Sequence, residues 1–513
     1  MAQGAYSYIA GISINTGLVA YVSKTGVSGA VGDLSRPFPT INSAYTALGL
    51  TNPTASNRGL LKILDGEIYD ENLVMNVAYI DADFGNAIIT SDALYTIDCQ
   101  NAGNYISIKS GGQILNTGAG NKCLNLVGIK YINLNVVIAS DGGGLAINGT
   151  TLIGTINQLI SIKAGGTNYE GISIFTTGLV NRVYLKIYKF TSDNGNALYR
   201  GSGSGTDTVI HLDIEEAEAI NTSSWTMTTN THTGYLQGVL NFKKISGQRV
   251  NLGLSKFKGI VNIDYVEIDM DSSTTSFVIQ ASEDLEVNIN KFIINNHDSV
   301  APYAKHLNLV CDSGKKLKAR LNNVRGTGVS VISSSGILDM EVNIDSPTEG
   351  LLVSGTGTGI IKCKGIINST LEAIINGITT DLQEVILDVE AKSSNEESVV
   401  LIDSGTAVKF VLKGKYVSQV SGKDTIVLGN SLGSIEVEAR VEATVGNTDA
   451  IMISAANTLI LRNAVLIAAG TGKSVNDDGS PRTIKTYQAV ANLGLGANIT
   501  EQVGNIVVDA NVV

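Results

Sequence analysis

From Tyr105 to Leu461 the chain repeats a short unit about every 23 to 27 residues: an alternating apolar run, then a break at Gly, Asn, Ser or Asp. Examples are Tyr131-Ile132-Asn133-Leu134, Val209-Ile210-His211-Leu212-Asp213-Ile214, Val385-Ile386-Leu387-Asp388-Val389 and Ile435-Glu436-Val437-Glu438. A fixed period in this range marks a solenoid. The apolar residues are strand formers, so each unit is a coil of short strands and not a helix pair. The predicted fold is all-β: a right-handed parallel β-helix, with an amino-terminal capping helix and a small carboxy-terminal β segment. Such a fold is a scaffold and does not name a function.

Composition narrows the partners. The 513 residues include 56 Gly and only 6 Pro, which suits many tight corners and few breaks in strand ladders. A net charge of -11 gives no reason to expect nucleic acid, which calls for clustered Lys and Arg. The short basic runs, Lys243-Lys244 and Lys315-Lys316-Leu317-Lys318 with Arg320, read as solvated corners and surface strands. Cys99, Cys123, Cys311 and Cys363 are scattered and lack metal-ligand spacing, so they are expected to be buried small hydrophobes. Cys99 and Cys123 lie about one coil apart, close enough in sequence to stack in neighbouring rungs. No basic stretch followed by an apolar core opens the chain, and no apolar run approaches about 18 residues. Manufacture in a cytoplasm, without membrane insertion, is expected.

Four segments follow from the pattern. Residues 1–19 are a small, apolar-rich tail or attachment segment. Residues 20–100 hold a capping motif and the first irregular rungs. Here Thr40 is a plausible N-cap, and Ile41, Ala44, Tyr45 and Leu48 fall at helical spacing. A short helix at this point would close the open end of the solenoid. Residues 101–470 form the coil, with excursions near 221–238 and 295–306 and a stretched period between Asp213 and Lys318. Residues 471–513 form the last β segment, whose strand edges must be covered or paired, for instance by trimerisation.

Two strings carry a family resemblance. Tyr21-Val22-Ser23-Lys24-Thr25-Gly26, with Arg36-Pro37-Phe38-Pro39-Thr40-Ile41-Asn42-Ser43-Ala44-Tyr45-Thr46-Ala47-Leu48, resembles the amino-terminal capping motif of pectate-lyase-like β-helix proteins. Many of those are bacteriophage tailspikes and fibres. Ile484 to Asn492 and Asn498 to Asp509 resemble the carboxy-terminal segment of phage structural proteins, including those of crAss-like phages. The resemblance implies a virion protein assembled in the host cytoplasm. It would be a homotrimeric fibre or spike on tail or capsid, joined by one end to other virion proteins and binding a glycan or protein receptor on the host surface.

Chemistry is thin. His211, Asp213 and Glu215 share an outward strand face, and Glu267, Asp269 and Asp271 form a similar set. Carboxylates two residues apart on a strand are roughly 6.5 to 7 Å apart, near the spacing of glycoside hydrolases. Asp213, Glu215, Glu267 and Asp269 are therefore the candidate catalytic acids, should the two strands stack. A solvated acidic face is the plainer reading. Trp225, His232 and Tyr235 in the first excursion are candidate receptor contacts, or packing anchors for that loop. Gly429-Asn430-Ser431-Leu432-Gly433 imitates a hydrolase elbow but lacks a following helix, and reads as a turn between rungs. No cofactor or metal is expected. The expectation is a non-enzymatic attachment protein, with a polysaccharide depolymerase of the same fold as the alternative.

Overall fold

The computed structural model describes residues 18–26, 32–100, 106–140, 143–148, 151–162, 170–175, 182–193, 196–200, 207–219, 224–228, 235–247, 249–254, 256–269, 277–295, 307–356, 358–377, 382–395, 398–454, 458–479 and 481–512. The chain divides into two compact units, Met1–Val261 and Asn262–Val513. The fold is a right-handed parallel β-helix, and the strand ladders within each unit are parallel. Among the described residues there is one helix, α1, Ile41–Leu50. No helix among them is long and apolar enough to cross a membrane.

In the first unit, alternation sets the inside and the outside. Along the strand Thr208–Ala219, Ile210, Leu212 and Ile214 are buried, while His211, Asp213 and Glu215 face out. Leu212 pairs with Leu185 on one side and Leu240 on the other, so like residues stack into an apolar column. Each such side chain contributes roughly 1.5–3 kcal/mol by leaving water. Gly238 interrupts the neighbouring column at φ +145°, where a Cβ would collide with the carbonyl oxygen of Ile210. Only glycine fits that backbone. The period is less even than the sequence suggests. Ile153 pairs with Tyr184, so the coil already lengthens before Asp213.

Helix α1 closes the first coil as expected. Thr40 Oγ1 accepts the Ser43 amide at 3.2 Å, and Ile41, Ala44, Tyr45 and Leu48 are the buried face. The helix packs on Val19–Val22, Gly59–Ile63 and Leu73–Met75. Its amino end carries a second cap: the Glu71 carboxylate accepts the amides of Ile41 and Asn42, each at 3.0 Å. Beneath lies a buried ion pair in which Arg58 Nε donates to Asp81 Oδ2 at 2.7 Å. The other Asp81 oxygen takes Arg58 Nη2 and the Ser107 amide.

The second unit repeats more evenly. Leu317, Leu338, Ile361, Val385, Phe410, Ile435, Leu459 and Ile484 pair in succession, and all are buried. Outward charges form cross-rung pairs, such as Lys413–Glu438 at 2.8 Å and Lys409–Glu384 at 3.1 Å. The basic run at Lys315 is part of this pattern: Lys315 meets Glu283 at 2.7 Å and Lys318 meets Glu286 at 3.5 Å. The last strands continue the ladder, with Arg482 paired to Ile499 and Val490 to Val507. Val503, Val507 and Val508 there are exposed.

Two local expectations need correction. Cys99 and Cys123 do not stack: Cys99 pairs with Leu126 and with Met75, while the Cys123 thiol donates to the carbonyls of Ile114 and Ala139. All four cysteines are buried and outside any disulfide, and burial pushes their thiols up. Gly429–Gly433 is not a turn. It runs inside the strand Ile426–Ala443, because Asn430, Ser431 and Leu432 keep register with Ser404, Gly405 and Thr406.

Candidate functional site

The first unit presents an outward sheet face with three polar or aromatic columns. One runs Asp83, Lys109, Asn133, Thr155, Lys186, Asp213, Asn241, each in register with the next. A second runs Ser107, Tyr131, Ile153, Tyr184, His211. The third lies two residues further along each strand and includes Asn135, Asn157, Tyr188 and Glu215. All of these are outward positions of strands whose alternate residues fill the core.

At one end of this face lies a groove of about 610 Å³, lined by Asp83, Asn86, Lys109, Asn133, Asn135, Thr155, Asn157 and Tyr188 together with Gly85, Ser110 and Gly111. A smaller recess of about 260 Å³ shares Asn133 and Thr155 with it and is walled by Tyr131 and Ile153. Thr155 Oγ1 donates to Asn133 Oδ1 at 3.0 Å. Lys109 lies 3.7 Å from Asp83. Asn135 and Asn157 are exposed, and among the described residues their side-chain amides have no hydrogen-bond partner. Tyr188 is 47% exposed, with Lys186 Nζ 4.9 Å from the centre of its ring.

The expected catalytic acids fall at the other end of the face or elsewhere. His211 Nε2 is 3.0 Å from Asp213 Oδ1, which also accepts from Asn241 Nδ2 at 2.6 Å. Glu215 is held between Lys186 and Lys243, each at 3.0 Å. Those two hydrogen bonds hold its carboxyl below the usual carboxylate range, and the first of them raises Lys186. A carboxylate so paired is a poor proton donor, since a general acid needs a raised pKa. The residues in register with Asp213 on its two sides are Lys186 and Asn241. Glu267 and Asp269 belong to the second unit, where both accept from Asn295 Nδ2, at 3.2 and 3.0 Å. Asp271 lies outside the described residues.

Of the receptor trio, Tyr235 is the one whose side chain is described. Tyr235 sits under Lys258, whose Nζ is 3.3 Å from the ring centre, and its amide donates to Asp207 at 2.9 Å. Trp225 belongs to the strand Ser224–Thr228, in register with Val250. His232 lies outside the described residues, as does most of the excursion near 295–306. Among the described residues no cluster of His, Cys, Asp or Glu is placed to hold a metal.

Sequence reasoning missed the groove. The available signal was a run of outward amides and hydroxyls, Asn133, Asn135, Thr155 and Asn157, in place of the charges found at outward positions elsewhere. No family model, no curated protein and no solved structure matches this chain.

Proposed function

We propose that this chain is a structural bacteriophage virion protein, a homotrimeric fibre or spike that attaches to the host surface. The observation that carries the reading is the parallel β-helix with one sheet face given to a polar, aromatic-edged groove. The capping helix supports it, because α1 forms at the residues that resemble the tailspike motif. The exposed valines of the last rungs offer a surface for self-association. Binding without hydrolysis is favoured because, among the described residues, Asp83 is the only acid lining the groove, whereas glycoside hydrolysis uses a pair of carboxylates.

A polysaccharide depolymerase is the second reading, favoured by the His211–Asp213 contact on the same face. One experiment separates the two. Purified protein is incubated with candidate host cells and their surface polysaccharide, while bound protein and released reducing ends are measured. The attachment reading expects saturable cell binding and no release. Release that disappears in Asp213→Asn would overturn it in favour of the enzyme.

A further inference from the structure

We propose that the groove at Asn133, Asn157 and Tyr188 is a binding site for a neutral oligosaccharide lying across the rungs. The proposal deepens the attachment reading and rests on it for its biological role. The argument begins with charge. The cations in and beside the groove are already paired, Lys109 in its lining with Asp83, and Lys186 beside it with Glu215, which also takes Lys243. An anionic ligand would have to compete with those carboxylates, whereas an uncharged one leaves the pairs intact. Hydrogen-bonding capacity points the same way. The amides of Asn135 and Asn157 each offer both donors and an acceptor, and neither is used within the described structure. A ligand rich in hydroxyl or acetamido groups, each both donor and acceptor, matches such a row.

Shape adds two constraints. The groove crosses five rungs, from Asp83 through Lys109, Asn133 and Thr155 to Tyr188. Four steps of about 4.8 Å give a length of about 19 Å, and a pyranose chain advances by a similar step per sugar. The volume of about 610 Å³ falls within the roughly 300–1,000 Å³ usual for ligand sites. Tyr188 presents a flat, half-open ring on which the C–H face of a sugar can rest. A peptide strand is excluded as the occupant, because the groove lies on the face of a ladder whose backbone groups are already paired between rungs, and strand addition needs a free edge.

The test uses the full chain on an array of neutral and uronic-acid-containing bacterial oligosaccharides, together with the Asn157→Ala and Tyr188→Ala variants. Both side chains are exposed, so the variants should melt with the wild type, and melting is measured alongside. The expected result is retention of neutral glycans only, weakened by about tenfold or more in each variant, the loss of one stacking or hydrogen-bonding partner. Preference for acidic glycans, equal binding by the variants, or no glycan retained would each overturn the proposal. The same proteins are then applied to host cells. Equal cell binding by wild type and variants would overturn the groove while leaving attachment standing. A wild type that binds no cell would overturn the attachment reading itself.

Discussion

Asp424 shows how one corner position can make stability depend on pH. Its Oδ1 accepts the Asp449 amide at 3.2 Å, and the Asp449 carboxylate is itself taken by the Lys473 amide and by Asn476 Nδ2. Asp424 is therefore half-buried beside a second acid that has its own partners. Burial first, then the Asp449 charge, push its carboxyl from 3.8 up to about 6, against the pull of the backbone bond. Between about pH 3.8 and 6 the folded chain thus holds a proton that the unfolded chain releases. The stabilising contribution is complete below 3.8 and is lost as pH rises through about 6. Asp424→Asn should raise the melting temperature at about pH 7.5 and leave it unchanged at about pH 4. The gain should be about 1 kcal/mol once screening by solvent is allowed for. Melting curves of both proteins across that range check it, and a difference that does not vary with pH would refute the mechanism.

Among the elements, the seal at the start of the first unit depends on α1 and on the ion pair beneath it. Arg58→Ala would leave the Asp81 carboxylate buried with only the Ser107 amide and should destabilise by about 3–5 kcal/mol. Adding Asp81→Asn should recover part of that loss, because the amide oxygen can still accept from Ser107. Urea titration of the single and double variants measures both, and a single variant that unfolds with the wild type would show that the pair carries no stability. Helix α1 was legible because its cap and its apolar face are local, from Thr40 to Leu48. Its Glu71 cap was not legible, since that residue arrives from the next coil. The groove was hidden for the same reason. Alternation tells that Asn133, Asn157 and Tyr188 face outward. Which outward residues share a column depends on register, and register shifts between Leu134 and Val137 and stretches from Ile153 to Tyr184. Likewise, alternation placed His211, Asp213 and Glu215 on one face, while the lysines that neutralise Glu215 sit one coil away on either side.

For the whole molecule, the proposed trimer has its most natural contact at the last rungs, where Val503, Val507 and Val508 are 69%, 60% and 57% exposed. Val507→Lys combined with Val508→Lys should convert the trimer to monomers in native mass spectrometry, with little change in protomer melting because neither side chain is buried. A trimer that survives the double change would move the interface elsewhere. The stepwise pairing has a further consequence, for synthesis. Ribosomes deliver about 5–20 residues per second, and one coil is about 25 residues. A new coil therefore emerges roughly every 1 to 5 seconds. Within each unit its pairing partner is the coil made just before it, and α1 has its first packing strands and its Glu71 cap once Leu73–Met75 has been made. The first unit can therefore wind onto a lid that closes with its first coil, so the growing end exposes one fresh coil edge at a time to neighbouring nascent chains.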